Sequence, residues 1–167
     1  MNGLLLLAQA DAGELQLDKS VVDLSQLVVE VADMFLPLAE ERQVALRTDS
    51  DPSLLVRGDH TRLHQLLTNL IENAIKFTEP GGTVHVVCDR QNGLVRVAIA
   101  DNGLGIPQED LPHIFERFYR VSSARSPAGS GLDLSICRWV VEAHGGSIRI
   151  ASTLGQGTTV TATLPAL

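Results

Sequence analysis

Aromatic side chains are scarce in this chain: one Trp, one Tyr and four Phe among 167 residues. A core must therefore be filled by Leu, Val, Ile and Ala, and a hydrophobic fraction of 44% supplies enough of them. Cysteine is nearly absent. Cys88 and Cys137 form no C-x-x-C pair and no secretory signal precedes them, which reads as two reduced, buried thiols in a cytosolic protein. Basic charge is also short, with 13 Lys and Arg against 20 Asp and Glu and a net charge of −7. That argues against nucleic acid as the main partner, because phosphate backbones are held by basic patches. Any phosphate site has to be local, built from backbone N–H groups and a few cations. Long hydrophobic runs are missing too. No stretch is long enough to span a bilayer, and the four leucines from Leu4 to Leu7 have no basic segment before them and are too few for a signal core. The expectation is a cytoplasmic domain with no membrane contact of its own; a membrane-anchored parent protein would carry its spans upstream of Met1.

What is present is organised around residues 59–82, which read as one helix with two faces. Leu63, Leu66, Leu67, Leu70, Ala74 and Phe77 recur at helical spacing as an apolar stripe. Asn69, Asn73 and Lys76 stand at i, i+4 and i+7 and share a second face, about a quarter-turn away. Such a face lies at the edge of a core, where a cleft wall would be. Two amides and an ammonium there suit a metal ion and a phosphate; a solvated face of three ordinary polar residues fits the spacing equally well.

In chain order, residues 4–12 predict a helix stopped by Gly13, too short to be stable alone. They read as the last turns of a longer helix or as a segment packed on a partner. Residues 15–24 alternate like a strand. Asp23 and Gln26 fit a capping box opening a helix to about Arg42, kinked by Pro37. Residues 44–48 and 54–57 are short strands around a turn at 50–53. Asp59 caps the organising helix, and Glu79-Pro80-Gly81-Gly82 stop it. Residues 83–89 and 94–100 are strands joined at Asn92-Gly93, a hairpin signal. Residues 101–131 hold little beyond a helical turn at 111–116, which fits either a functional lid or a mistaken element assignment. A helix at 132–144 and a hairpin of 147–151 with 158–164 close the chain. Hairpins dominate this order, so the fold class is α+β: a mixed, mostly antiparallel sheet with three full helices on one face, as a two-layer sandwich.

Two glycine motifs follow. Asp101-Asn102-Gly103-Leu104-Gly105 succeeds a strand, where the carboxylate can accept from an exocyclic amine and the glycines let the backbone turn tightly against a ligand. Gly129-Ser130-Gly131-Leu132 opens a helix, a place for phosphate through free N–H groups and the helix dipole. Each is weak alone. Taken together, Asn69 and Asn73, then Asp101-x-Gly103-x-Gly105, then Ile114-Phe115-Glu116-Arg117-Phe118-Tyr119-Arg120, then Gly129-x-Gly131-Leu132 resemble the N, G1, F and G2 boxes of sensor histidine kinases. The likeness runs over nearly all of residues 15–165 and includes the ending Gly155-Gln156-Gly157-Thr158-Thr159.

The resemblance implies a Bergerat sandwich with a mobile ATP lid, and ATP and Mg2+ as cofactors. It implies Asn73 as the amide ligand of Mg2+ with Asn69 in support, a donor set suited to a hard cation. Lys76 and Arg120 are implied as cations reaching the phosphates, and Asp101 as the adenine-reading carboxylate. Gly103 and Gly105 would pass close to the nucleotide, Gly129 and Gly131 would hold phosphate, and Thr158 matches a hydroxyl near adenine. Arg117 reads as structural, Arg125 as a weaker candidate, Phe115 and Phe118 as anchors of the lid, and Glu72 as a surface residue.

Two departures qualify this. His60, His64, His85, His113 and His144 all lack the acidic residue and downstream proline that follow the family's phosphoacceptor histidine. Residues 1–13 instead resemble the end of a dimerisation helix, leaving 14–167 as the catalytic ATP-binding domain, with a phosphoacceptor domain of the same parent kinase and a response regulator as partners. Second, Asp133 stands where the G2 box usually has glycine. Its carboxylate favours the helix dipole by about 0.3–1 kcal/mol, but about 5 Å from a phosphate, at an effective dielectric of about 20, repulsion is about 3 kcal/mol. The expected function is transfer of the γ-phosphoryl group of Mg-ATP to histidine. The alternatives are a degenerate nucleotide- or partner-binding module, weakened about a hundredfold by Asp133, and an ATP-hydrolysing relative.

Overall fold

A computed structural model describes residues 3–13, 15–119 and 133–167, except for the side chains of Gly3 and Asp133. The elements are α1 (Gly3–Asp11), β1 (Ser20–Asp23), α2 (Leu24–Met34), α3 (Leu36–Glu41), β2 (Ala45–Ser50), β3 (Leu55–Gly58), α4 (His60–Lys76), β4 (Thr83–Gln91), β5 (Leu94–Asp101), a single 3-10 turn (Leu111–His113), α5 (Asp133–Ala143), β6 (Ser147–Thr153) and β7 (Gly157–Pro165). Five strands form one sheet in the order β2-β4-β5-β7-β6. Only β2 and β4 run parallel; the other neighbours are antiparallel, as expected of a mixed, mostly antiparallel sheet.

One face of that sheet is apolar because the strands alternate. Val84, Val86, Cys88, Val95, Val97, Ile99, Ala162 and Leu164 are buried while their neighbours are not. Helices α2, α4 and α5 cover this face side by side. α4 lies in the middle and buries Leu63, Leu66, Leu67, Leu70, Ile71, Ala74 and Ile75. Each buried Leu or Ile contributes about 1.5–3 kcal/mol, against a few tenths from helix propensity, so packing sets where this helix sits. Its N-terminus is capped by Asp59, whose carboxylate accepts from the Arg62 N–H at 3.1 Å. Asn92 and Gly93 turn the β4–β5 hairpin with φ of 52° and 78°, the left-handed conformation that Asn-Gly adopts readily.

Three expectations need correction. Residues 15–19 are not strand; only Ser20–Asp23 pair, antiparallel to β3, in a separate two-stranded sheet. β2 and β3 therefore do not form a hairpin. Pro37 does not kink a continuous helix. The chain breaks at Phe35, and Pro37 falls in the first turn of α3, where its missing N–H costs nothing. Phe77 is the half-buried C-cap of α4 rather than part of its apolar stripe, which Ile71 and Ile75 complete. In α1, Leu4 and Leu5 are exposed, whereas Leu6 and Leu7 join the core beside α5.

Candidate functional site

The face of α4 next to its buried stripe carries Asn69, Asn73 and Lys76, all half-buried. Neither amide makes a hydrogen bond among the described residues. Their oxygens are hard, neutral donors at a cleft edge, so the residues present fit a Mg2+ ion that takes its remaining ligands from water and phosphate. Lys76 is engaged: its Nζ lies 2.7 Å from Glu72 Oε1, one turn back on the helix. Glu72 is accordingly half-exposed and ion-paired, not simply turned to solvent.

At its C-terminal end, α4 meets the loop that follows β5. The Phe77 N–H donates to the Asn73 carbonyl at 3.0 Å, and the Phe77 carbonyl accepts from the Leu104 N–H at 3.1 Å. Gly103 lies flat against this turn, where a Cβ would stand 2.2 Å from the Phe77 oxygen. At Gly105 (φ 72°) a Cβ would stand 2.1 Å from the carbonyl oxygen of Thr153. The close approach that these two glycines permit here is of backbone to backbone within the fold. Asn102 contributes a link that the sequence reading missed: its Oδ1 accepts from the Thr83 N–H at 2.7 Å.

Asp101 ends β5 on the helix-facing side of the sheet. Its Oδ1 accepts from the N–H groups of Gly103 at 2.9 Å and Thr158 at 3.3 Å, and its Oδ2 accepts nothing among the described residues. Burial pushes this carboxyl above the usual carboxylate range, and the two N–H donors pull it partly back. Strand pairing sets Thr158 opposite both Asp101 and Ser152. An open cavity of about 270 Å³ has Asp101, Ser152, Gln156, Gly157 and Thr158 in its wall. The loop that carries the carboxylate is therefore tied, through Gly103 and Leu104, to the C-terminal turn of the helix that carries the two amides.

Beyond Pro107 the described chain is held by both local and long-range pairs. Asp110 is buried and accepts from the Tyr119 hydroxyl, which this bond pushes up to about 12. The His113 and Tyr119 rings stack at 5.3 Å. Arg117 is structural as expected, in a two-pronged ion pair with Asp11 of α1 at 2.7 and 2.8 Å. Phe115 is half-buried beneath the Arg138 guanidinium, 5.9 Å from its centroid. Phe118 is not an anchor: it is 58% exposed with φ of 64°, and the buried residue here is Ile114. Arg120, Arg125, Gly129 and Gly131 lie outside the described residues, as does the side chain of Asp133, whose backbone opens α5.

Cys88 and Cys137 are buried and form no disulfide, and burial pushes the Cys88 thiol up to about 12. Among the described residues no cluster of His, Cys, Asp and Glu could hold a metal, and no helix is long and apolar enough to cross a membrane. His144 is structural: its Nδ1–H donates to the Val140 carbonyl and its Nε2 accepts from the Asp59 N–H at 3.0 Å.

Residues 58–167 match the family model described as histidine kinase-, DNA gyrase B-, and HSP90-like ATPase. The sensor histidine kinase YkoH of Bacillus subtilis is 40% identical over 162 residues, 96% of this chain and 35% of its own length. CusS of Escherichia coli, also a sensor histidine kinase, is 40% identical over 168 residues, 99% of this chain and 35% of its own. The chain thus spans about a third of the length of these relatives. Among solved structures, full-length ShkA in complex with AMPPNP superimposes with a TM-score of 0.86 at 31% identity, over 99% of this chain and 35% of that one. The catalytic domain of histidine kinase ThkA gives 0.79 at 28% identity, over 89% and 96%.

Proposed function

Because the chain belongs to the family of histidine kinase-, DNA gyrase B- and HSP90-like ATPases, we propose that it binds Mg-ATP and passes the γ-phosphoryl group to a histidine on the dimerisation domain of its parent kinase. A response-regulator aspartate then receives the group. The observation that carries this reading is the division of labour at Asp101. One carboxylate oxygen is tied to backbone and the other has no partner among the described residues, beside a cavity and one backbone contact away from the amide-bearing helix turn. The likeness to ShkA, whose structure holds AMPPNP, supports an adenine nucleotide there.

In this reading Asp101 accepts from the exocyclic amine of adenine and Thr158 lies beside it. Asn73, with Asn69, offers amide oxygen to Mg2+, which when bound neutralises phosphate charge. Lys76 approaches the phosphates by turning from Glu72. By resemblance, Arg120 reaches the terminal phosphate while Gly129 and Gly131 cradle the chain of phosphates. Phosphoryl transfer needs little covalent chemistry from the protein, so the catalytic work of Asn73, Lys76 and Arg120 is positioning and charge balance. The bond between the γ-phosphorus and the bridging oxygen breaks, a histidine nitrogen takes the phosphoryl group, and ADP leaves. Residues 1–13 are read as the end of the helix leading from that phosphoacceptor domain, and 14–167 as the catalytic domain.

The test mixes the chain with γ-labelled ATP and a separately supplied dimerisation domain. Acid-labile label on histidine, lost with Asn73→Ala, is the expected result; no label, or release of free phosphate alone, overturns the reading. A second reading rests on Asp133, the carboxylate in place of glycine. If it weakens binding, Asp133→Gly tightens ATP about a hundredfold; equal affinities remove that alternative.

A further inference from the structure

Ser152 of β6 was not among the residues that the motifs pointed to, yet it has the most crowded hydroxyl beside the cavity. Its Oγ accepts from the Ile106 N–H at 2.7 Å, lies 3.0 Å from the Gly157 carbonyl oxygen and lies 2.7 Å from Thr158 Oγ1. A hydroxyl has one proton, and a carbonyl can only accept. The Ser152 proton therefore goes to Gly157. The short contact with Thr158 must then use the Thr158 proton, with Ser152 accepting. The Thr158 N–H is also committed, to Asp101 Oδ1. Among the described residues, what Thr158 and Asp101 leave for the cavity is two acceptors: the lone pairs of Thr158 Oγ1 and the Oδ2 of Asp101.

The geometry points to Ser152 as a positioning residue that sets base specificity: by holding the proton of Thr158 it makes the Asp101–Thr158 pair acceptor-only, matched to a 6-aminopurine and mismatched to a 6-oxopurine. This rests on the reading of Asp101 as the base-reading carboxylate. Asp101 alone cannot make the distinction, because a 6-oxopurine can still donate its ring N1–H to a carboxylate. The second wall atom decides. A 6-amino group can give its second hydrogen to Thr158, whereas a 6-oxo group meets a lone pair there and stays unpaired in a partly desolvated pocket. Sites that pair a polar group in this way reject analogues that leave one unpaired. Without the Ser152 oxygen, the Thr158 hydroxyl is free to rotate and donate to a 6-oxo oxygen.

ADP and IDP differ at this position and carry the same phosphates, so calorimetric titration of both isolates the effect. Wild type should prefer ADP. Ser152→Ala should lower the ADP-to-IDP preference about three- to tenfold, chiefly by tightening IDP, and Ser152→Thr should restore it. A role in packing alone would weaken both nucleotides equally. An unchanged ratio in folded Ser152→Ala overturns this inference and leaves the reading of Asp101 standing. Failure of wild type to bind either nucleotide overturns both. Should Ser152→Ala not fold, Thr158→Val carries the test: it removes the second acceptor, so the preference must fall through weaker ADP, and an unchanged ratio is again fatal.

Discussion

The two ends of the candidate cleft are built on opposite principles. At the base end the groups nearest Asp101 are tied to the protein: Asp101 Oδ1 to two N–H groups, Ser152 to three partners, and the backbones of Gly103 and Gly105 to direct contact with neighbouring carbonyls. At the metal end, Asn69 and Asn73 have no hydrogen-bond partner among the described residues, and Lys76 is held only by a half-exposed carboxylate. A base is a fixed shape, so its pocket can be preformed. A hydrated cation with phosphates completes its own coordination, so the protein need only leave oxygens available. On the proposed reading, specificity and charge handling are thereby separated between the β5 loop and α4.

The largest effect should come from breaking the base end through its backbone. Gly105→Ala brings a Cβ to 2.1 Å from the Thr153 oxygen at φ 72°, whereas Gly155→Ala meets nothing within 4 Å at φ 80°. Both suffer left-handed strain of about 1–2 kcal/mol, and Gly105→Ala adds about 1–3 kcal/mol of overpacking. Urea unfolding should therefore separate the two variants by about 1–3 kcal/mol. Equal losses would mean that the backbone contact relaxes freely and that the base end is less rigid than its bonds imply.

Substitutions of single polar groups should then split the ends by metal dependence. Asp101→Asn removes a charged acceptor and should weaken ATP about 10- to 100-fold, both in Mg2+ and in EDTA. Asn73→Ala should weaken ATP about tenfold in Mg2+ and leave the EDTA value unchanged. An Asn73→Ala loss of the same size in EDTA would show that the amide contacts nucleotide rather than metal.

A smaller effect, by pH, acts on the far end of α4. Burial holds the His144 imidazole below its ordinary value, while its bond to Val140 opposes the shift. Between that lowered value and about 6.5 the unfolded chain binds a proton at this site and the folded one does not. Stability from His144 is thus fully present above about 6.5 and is lost as pH falls, since the protonated ring cannot accept from the Asp59 N–H. Wild type should lose stability between pH 7.5 and 5.5 more steeply than His144→Gln. Parallel pH curves would remove His144 as the cause. Amide exchange at low pH should rise first at residues 59–63 and leave the Asp101 loop protected.

How much of this was legible in the chain depends on how far apart the partners lie. The seventeen residues of α4, the Asp59 cap and the Asn92-Gly93 turn are set by local chemistry, and each was readable to within a residue or two. Asp101, Thr158 and the two amides were found by motif, and the structure brings Asp101 and Thr158 into contact. What could not be read was pairing at a distance. β1 selects β3 across more than thirty residues, which no periodicity encodes. Ser152 bonds Ile106 from 46 residues away and looks in sequence like any strand serine. Phe118 misled because an aromatic in a motif suggests an anchor, while burial fell to the aliphatic Ile114 four residues earlier.

The Glu72–Lys76 pair was readable at i,i+4 yet was passed over, because a helical wheel ranks residues by direction and not by neighbour. It also gives the finest test of the contrast between the ends. Both side chains are more than a third exposed, so solvent screening limits the pair to about 0.3–0.5 kcal/mol. Glu72→Gln should lower stability by no more than that. If Lys76 must leave Glu72 to meet phosphate, the same substitution removes that competition and should tighten ATP about twofold, with less effect on ADP and none on the preference for ADP over IDP. Adding salt should erase the gain, because it screens the wild-type pair as well. A change in base preference on Glu72→Gln would show that the two ends are mechanically coupled through the turn at Phe77 and Gly103. An unchanged preference with tighter ATP would mean that the metal end can be tuned while the base end stays fixed.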